Sequence, residues 1–354
     1  MVHVASGREW RGGQRQVLLL ARGMREQGEV PTLVITGAGT ALAERLADAG
    51  VPTHLVTWSM GLDPRVVRGI LAVAAPGTII HSHDSHAHTL ADAAIRLRRL
   101  PLVATRRVAF PVRHPARWRR ADHVIALSTP IAEQMHAAGV PREQVSIIPS
   151  GVDLDILTRP RTLTALPGLP PPGAPLILCI AALTPEKGID VLIAAAALLA
   201  NTTPDAHWLV LGEGPRRQAL QRQIRAAGLE GRVHLAGDVP EPHGYLTAAT
   251  LAVQPSRSEG FGSAVLDAMA AGVPVVASDT GGLPEALAGG GGLLVPPGNA
   301  DRLAAAVRQL LDNPAEREAL GAAGRTAATQ FAVPRLVART LDVYRSLDLL
   351  PDGR

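Results

Sequence analysis

Short apolar segments alternate with segments of helical periodicity along the first half of the chain. The strand-like segments lie at about 2–5, 32–36, 54–56, 78–81, 102–105, 124–126 and 145–148. The first of the intervening segments places Val17, Leu20 and Met24 at helical spacing. This alternation predicts βαβ units and therefore a parallel sheet of the α/β class.

The second half begins with a strand, a loop and a helix, which indicates a second α/β domain. At 354 residues the chain is longer than one ordinary domain, and its 47% hydrophobic content is enough to fill two cores. Aromatic residues make up only 3% of the chain, which argues against stacking surfaces for single-stranded nucleic acid. The only cysteine, Cys179, lies in an apolar run, where a buried thiol in a reducing compartment is expected.

The segment from Ser258 to Glu285 combines two acidic residues with two glycine turns. Its residues 259–262 predict a loop that enters a helix near Ser263, and Gly272 is placed to end that helix. A buried strand is expected at 273–277, and Pro284 is suited to open the next helix. Because open parallel sheets bind ligands at the carboxyl ends of their strands, this segment is a candidate binding site.

The same segment resembles the signature of the family 4 retaining glycosyltransferases, whose GT-B fold consists of two Rossmann-like domains that face each other across a cleft. That signature is a glutamate, seven residues and a second glutamate, and here the two positions are Glu259 and Asp267. The resemblance implies that Glu259 meets the donor sugar and Asp267 the ribose. It also implies that the amides of Gly260, Phe261 and Gly262 approach the sugar. Aspartate is one methylene shorter than glutamate, so the ribose contact is expected to be longer or bridged by water.

Lys187 is the only lysine in a chain that otherwise uses arginine for its cations. A compact ammonium at a place where a forked guanidinium would not fit is one interpretation, and codon drift is the other. Together with Gly188 it stands at a helix start, where backbone amides can share a pyrophosphate with the ammonium. The family's arginine five positions earlier is Ala182 here, a loss of about 1.5–3 kcal/mol unless another arginine replaces it. The resemblance also implies that the loop 237–240, with Gly237 and Val239, lies beside the nucleotide base.

Two first-domain features are candidates for the donor side. Gly12 and Gly13 precede a helix, so their amides can approach an anion closely, although an ordinary turn has the same composition. The resemblance implies that this loop lies near the donor phosphates and the acceptor, and that a histidine at the fourth strand contacts the donor sugar. His83 is the first choice for that histidine and His81 the second.

Four histidines lie close together at positions 81, 83, 86 and 88. No cysteine cluster or HExxH pattern accompanies them, so no metal site is predicted. His86 and His88 are interpreted as exposed residues at a helix start.

Nine arginines and no acidic residue lie between residues 96 and 120, at positions 96, 98, 99, 106, 107, 113, 117, 119 and 120. Arg106 and Arg107 directly follow a strand, so they are predicted to face an anionic acceptor. The others, with Trp118 as an interfacial anchor, predict a surface that attracts an anionic membrane. An ordinary solvated basic face is the alternative, and nucleic acid is not predicted because no binding module accompanies the charge.

The expected domains are an acceptor-side Rossmann-like domain at 1–157, a proline-rich linker at 158–174, a nucleotide-sugar domain at 175–332 and a helix at 333–354 that returns to the first domain. The first residues lack the apolar core of a signal peptide, and the longest apolar run, 191–200, is too short to span a bilayer. A cytoplasmic protein, peripheral on the inner face of the cell membrane, is therefore expected.

The resemblance, taken with these patterns, implies a metal-independent, retaining glycosyltransferase without a cofactor. Its expected donor is a nucleoside diphosphate sugar, and its acceptor is a hydroxyl of a glycolipid or cell-surface polysaccharide precursor, as in lipopolysaccharide biosynthesis. The alternatives are an epimerase or a transferase for a soluble acceptor on the same fold, and a non-catalytic binding protein, which Ala182 and Asp267 motivate.

Overall fold

The computed structural model describes residues 1–58, 63–155, 169–171, 173–239 and 242–347. These residues form two compact units, the first made of Met1–Gly151 with the residues from Ala332 onward, and the second of Val152–Phe331. The predicted domain limit at 157, most of the predicted linker at 158–174, Pro240 and the end of the predicted last helix lie outside the described residues.

The first unit contains a parallel sheet of seven strands. The strands are β1 Val2–Val4, β2 Leu33–Gly37, β3 Thr53–Val56, β4 Ile80–Ser82, β5 Leu102–Arg106, β6 His123–Ala126 and β7 Val145–Ile147. Their order is β3-β2-β1-β4-β5-β6-β7. The helices are α1 Gly12–Gln27, α2 Ala41–Asp48, α3 Pro64–Val73, α4 Ser85–Leu97, α5 Pro115–Trp118 and α6 Thr129–Ala137.

Helices cover the strands of this sheet, which explains why β1, β4 and β5 are buried along their whole length. Asp84 fixes the start of α4, because its side chain accepts hydrogen bonds from the backbone amides of His86 and Ala87. The same carboxylate accepts the amide of Ser6, at 2.8 Å. Asp84 thus joins the loop after β1 to the loop after β4.

The second unit contains a parallel sheet of six strands. The strands are β8 Leu176–Ile180, β9 His207–Leu211, β10 Val233–Gly237, β11 Leu251–Gln254, β12 Val275–Ser278 and β13 Gly292–Val295. Their order is β10-β9-β8-β11-β12-β13. The helices are α7 Ile189–Leu199, α8 Arg217–Ala226, α9 His243–Ala248, α10 Ser263–Ala271, α11 Leu283–Leu287, α12 Ala300–Asp312 and α13 Pro314–Ala328.

The last helix, α14 Val333–Arg345, follows the second unit in sequence but packs within the first. It contributes Val337, Leu341 and Tyr344 to a buried cluster that also contains Leu20 and Met24 of α1. The first unit is therefore built from both ends of the chain.

Each sheet reverses its strand order once, between β1 and β4 in the first and between β8 and β11 in the second. At such a point the loops after the two central strands run to opposite faces and leave a crevice where ligands bind. Two parallel, Rossmann-like sheets confirm the predicted α/β class.

Candidate active site

The loops after β8 and β11 bring the two predicted donor-site residues together. Lys187 ends a short 3₁₀ turn, and Glu259 lies in the loop that leads to α10. Lys187 Nζ donates to Glu259 Oε2 at 2.6 Å. The two side chains are 23% and 12% exposed, so the pair lies at a partly open surface.

Backbone and side-chain bonds hold these two loops against each other. The amide of Arg257 donates to the carbonyl oxygen of Glu186 at 2.7 Å. The guanidinium of Arg257 binds both carboxylate oxygens of Asp190, in the first turn of α7, each at 2.7 Å. This bidentate bond is the main reason that the pKa of Asp190 is lowered.

Gly188 allows the close approach of the loops. Its φ is 65°, and a Cβ at this position would overlap the carbonyl oxygen of Pro255. Any other residue at this position would push the Lys187 loop away from the Glu259 loop, while the pyrophosphate contact of Gly188 stays a prediction.

Four donors surround the carboxylate of Glu259. Besides Lys187, Oε2 receives hydrogen bonds from Ser256 Oγ at 3.2 Å and Gln254 Nε2 at 3.3 Å. Oε1 receives the amide of Gly260 at 3.2 Å. The sequence reasoning missed Gln254 and Ser256, although a glutamine at the end of an otherwise apolar strand was a usable signal.

The glycines around the loop serve backbone packing. A Cβ at Gly281 would overlap the carbonyl oxygen of Glu259, so the turn after β12 lies directly on this loop. Phe261 is buried and its ring packs edge-on against Phe331, 5.4 Å between centroids. Of Phe261, only the backbone is therefore suited to a ligand. Gly262, just before α10, has a φ of 89°, a backbone conformation that few residues other than glycine adopt.

Asp267 lies in α10, one turn beyond Ser263, and is buried. Its Oδ2 is 3.9 Å from Nε2 of His243, at the start of α9. The pairing with His243 was not predicted, because His243 is distant in sequence and stands in no recognisable motif. The structure thus places a histidine ring beside the acid at 267.

The loops after β9 and β10 lie next to the one that contains Ala182. Leu183 donates its amide to the carbonyl oxygen of Glu213, and the amide of Arg216 donates to the carbonyl oxygen of Leu183. Gly237 ends β10 with φ 85° and accepts the amide of Gly212 at 2.7 Å. Val239 follows two residues later and is half-buried. Arg216 is thus placed beside the position where the resembling family has an arginine.

His83 has both ring nitrogens in hydrogen bonds within the first unit. Nδ1 lies 3.1 Å from a guanidinium nitrogen of Arg107, and Nε2 lies 2.8 Å from Nδ1 of His3. Because a guanidinium can only donate, His83 carries its proton on Nε2 and donates to His3. His3 then carries its proton on Nε2, an atom that is buried without a hydrogen-bond partner among the described residues.

His81 completes a cluster of three buried rings. His81 and His3 are register partners across β4 and β1, and the rings of His81 and His83 lie 4.1 Å apart. Its two nitrogens bind the hydroxyls of Tyr344, at 2.5 Å, and Thr105, at 2.7 Å. Burial is the largest cause that lowers the pKa of His3, to about 3, and the pKa values of His81 and His83 well below their usual range. All three rings are therefore neutral at pH 7.

The nitrogens of His3, His81 and His83 lie within 4.8 Å of one another, a spacing that suits metal ligands. Hydrogen bonds already account for five of the six ring nitrogens, and the cation of Arg107 is in contact with the cluster. These contacts favour a hydrogen-bonded network over a cation site.

Arg106 is the last residue of β5 and Arg107 follows it, and the two differ in their surroundings. Arg106 is buried, donates to Ser85 and to the carbonyl oxygen of Phe110, and has a pKa lowered by burial. Arg107 stays partly accessible, and burial lowers its pKa to about 10. Its Cδ would lie 3.8 Å from a Cβ at Gly13, so it borders the start of α1, which begins at Gly12.

Two predictions for the first unit are wrong. Trp118 is buried, with its ring 4.4 Å from that of His88, so it cannot anchor the protein at a membrane interface. His88 is buried rather than exposed, and burial lowers its pKa to about 4. Trp118 belongs to the buried cluster that contains the apolar residues of α4, and His88 lies on α4 itself, which explains these positions. Cys179 is buried, as predicted, and burial raises its pKa to about 12.

Among the described residues, the structure has no helix with both the length and the apolar character needed to cross a membrane.

Comparisons with known proteins agree with this geometry. The family described as "Glycosyltransferase Family 4" matches residues 10–156, and "Glycosyl transferases group 1" matches residues 167–327. A D-inositol 3-phosphate glycosyltransferase of Arthrobacter sp. (strain FB24) is 33% identical over 297 residues, which are 76% of this chain and 70% of that protein. The 2-deoxystreptamine glucosyltransferase of Streptomyces kanamyceticus is 32% identical over 256 residues, 69% of this chain and 66% of that protein.

Solved structures show the same architecture. HepE of Anabaena, in complex with UDP-glucose, aligns with a TM-score of 0.82 at 22% identity and covers 98% of this chain and 99% of its own. A glycosyltransferase of Rickettsia africae aligns with a TM-score of 0.82 at 17% identity, over 99% of this chain and 98% of its own. The fold and the curated relatives together show that the chain is a glycosyltransferase of GT-B fold and belongs to glycosyltransferase family 4.

Proposed function

We propose that this protein transfers a glycosyl group from a nucleoside diphosphate sugar to a hydroxyl of an anionic glycolipid or cell-surface polysaccharide precursor, with retention of the anomeric configuration. The observation that carries the proposal is the 2.6 Å contact between Lys187 and Glu259 at the point where the second sheet reverses its strand order. The HepE structure contains UDP-glucose, and the Arthrobacter relative acts on D-inositol 3-phosphate, a phosphorylated acceptor. Both names fit an anion-binding site of this kind.

In the proposed mechanism, negative charge gathers on the leaving diphosphate while the sugar gains oxocarbenium character. The Lys187 ammonium and the amides that begin at Gly188 stabilise that charge where it develops. This cationic site takes the place of a divalent metal, and the reaction needs no cofactor. The leaving phosphate accepts the proton of the acceptor hydroxyl.

The remaining second-unit residues have binding roles in this proposal. Glu259 holds the donor sugar hydroxyls, with the amides of Gly260, Phe261 and Gly262 beside them. Asp267 binds the ribose with the help of His243. The base lies against the backbone of Gly237 and Val239, so its identity is read mainly by main-chain groups.

From the first unit we propose His83 as a contact of the donor sugar. It would use its Nδ1 atom, which in this structure accepts a hydrogen bond from Arg107. We also propose that the backbone amides of Gly12 and Gly13 face the phosphates. Arg107 is the proposed partner of the anionic acceptor, because it is partly accessible and borders the start of α1. Arg106 supports this region from within, since its guanidinium is bound to Ser85 and Phe110.

We also propose peripheral binding to anionic lipid on the cytoplasmic face of the membrane. Arg96, Arg99 and Arg113 are exposed, and two apolar side chains of the same region, Leu97 and Phe110, are 72% and 49% exposed. Sedimentation with vesicles of phosphatidylcholine, with and without phosphatidylserine, tests this at low and high salt. Binding that needs phosphatidylserine and weakens with salt supports the proposal, and equal recovery from both kinds of vesicle contradicts it.

Calorimetry with a panel of sugar nucleotides, followed by transfer assays with labelled donors, tests the enzymatic proposal. The expected result is binding of one donor and transfer to a phosphorylated or lipid-linked acceptor. NMR of the product should show that the anomeric configuration of the donor sugar is retained. Donor conversion without transfer would identify an epimerase. Transfer to soluble sugars alone would refute the acceptor class, and a chain that binds a donor without turnover would be a binding protein.

A further inference from the structure

We infer that Gln254 and Ser256 are positioning residues that hold Glu259 so that one of its oxygens, Oε1, faces the donor sugar. This inference rests on the proposed function, because it assigns Glu259 to the sugar. It adds two residues that precede the family signature: Gln254 at the end of β11, and Ser256 in the loop that leads to Glu259.

The hydrogen-bond directions follow from the chemistry of the groups. Gln254 Nε2 donates to Ser256 Oγ at 2.9 Å. The hydroxyl of Ser256 therefore directs its own hydrogen to Glu259 Oε2, 3.2 Å away. The second hydrogen on Gln254 Nε2 is directed to the same Oε2, at 3.3 Å. Ser256 is fully buried and Gln254 is 4% exposed, so water does not compete for these bonds.

These bonds make the two carboxylate oxygens unequal. Oε2 receives three donors, namely Lys187, Ser256 and Gln254. Oε1 receives only the amide of Gly260. Since a carboxylate oxygen accepts about two hydrogen bonds through its lone pairs, Oε2 is saturated and Oε1 retains capacity for a ligand hydroxyl.

The same arrangement leaves Lys187 able to act on the diphosphate. An ammonium has three hydrogens, and the contact with Glu259 uses one of them. If Gln254 and Ser256 were absent, the carboxylate would be held only by Lys187 and Gly260 and would turn toward the ammonium. Oε1 would then be drawn to the cation and away from the sugar, while the ammonium would keep a hydrogen for the diphosphate.

The predicted defect is therefore one of geometry at the reacting sugar and not of nucleotide binding. The variants are Ser256→Ala, Gln254→Leu and the double variant, which removes both members of the polar pair and leaves neither unsatisfied. Thr203→Ala is the matched control. Like Ser256→Ala it removes one hydroxyl hydrogen bond from the second unit, here the bond to the carbonyl oxygen of Leu199, but at a position far along the chain from Glu259. The probes are UDP-glucose with UDP, and GDP-mannose with GDP.

For the donor that the wild type uses, kcat should fall about tenfold in each variant, while the affinity for the nucleoside diphosphate alone changes less than twofold. The control should retain wild-type kcat. Thermal unfolding of all variants separates a folding defect from a positioning defect.

Two outcomes overturn the inference alone: a kcat within twofold of wild type in the double variant, or a loss of nucleoside diphosphate affinity as large as the loss of kcat. A wild type that binds and transfers no sugar from any donor of the panel would refute the proposed function as well.

Discussion

Lys187 and Glu259 are 72 residues apart in sequence, yet their charged groups are joined at 2.6 Å. The two residues meet because β8 and β11 are neighbours in the sheet and both loops leave from the same edge. Arg257 then fixes the distance between the loops through Asp190 and Glu186. The ammonium is therefore placed before any ligand arrives.

Replacement of Lys187 by alanine should lower transfer more than tenfold, because the diphosphate loses the cation that stabilises its developing charge. Lys187→Arg should also lower transfer, since the forked guanidinium would bind Glu259 through both oxygens and occupy Oε1. Steady-state kinetics with the identified donor measures both effects. Arg222→Ala, an exposed cation on α8, is the control, and unchanged turnover in Lys187→Ala would refute the phosphate role.

Asp267→Glu should leave transfer unchanged or raise it, because the longer side chain restores the reach expected for the ribose contact. The donor KM is the most direct measurement. A severe loss in this variant would show that the shorter acid is fitted to His243, 3.9 Å away.

Gly188→Ala should destabilise the second unit by about 2–3 kcal/mol. The alanine would have to adopt a left-handed backbone conformation, and its Cβ would also overlap the carbonyl oxygen of Pro255. Gly228→Ala is a close control, since its φ is 66° and a Cβ there would have no neighbour within 4 Å. Its expected cost is about 1 kcal/mol. Urea unfolding measures both, and equal losses would show that the contact with Pro255 does not matter.

The buried histidines should make the first unit sensitive to acid. Their pKa values are lowered in the folded state, to about 3 for His3, so below pH 6.5 the unfolded chain binds protons that the folded chain does not. The unfolding free energy should therefore fall as the pH drops from 6.5 toward 3, by up to about 1.4 kcal/mol per pH unit for each ring. Above pH 6.5 these rings add no pH dependence.

Urea unfolding between pH 7.5 and 4.5 measures this slope, with hydrogen exchange of β1 and β4 to assign it to the first unit. His3→Asn should reduce the slope of the unfolding free energy against pH by the contribution of one histidine ring. His114→Asn is the control, because His114 is exposed and its φ of 57° suits asparagine. A flat profile in the wild type would contradict the prediction.

Local patterns predicted the parts of the site that depend on local chemistry. Glu259 follows from its motif, Gly188 from its place at a helix start, and the parallel sheets from the alternation of elements. Gln254 and Ser256 were missed because their role depends on a side chain that the fold brings within reach. Trp118 was misjudged because the charges of a segment do not show which side chains are covered, and His88 because a place at a helix start does not show which face of the helix is buried.

The first unit contains Tyr344, which follows the whole second unit in sequence, as the partner of His81. During synthesis, the second unit leaves the ribosome complete while the first still lacks α14 and the hydroxyl that His81 binds. The first unit must therefore wait for α14, which is made after the whole second unit, before its core is closed. A chain that stops short of α14 would carry a complete second unit attached to a first unit whose core is open.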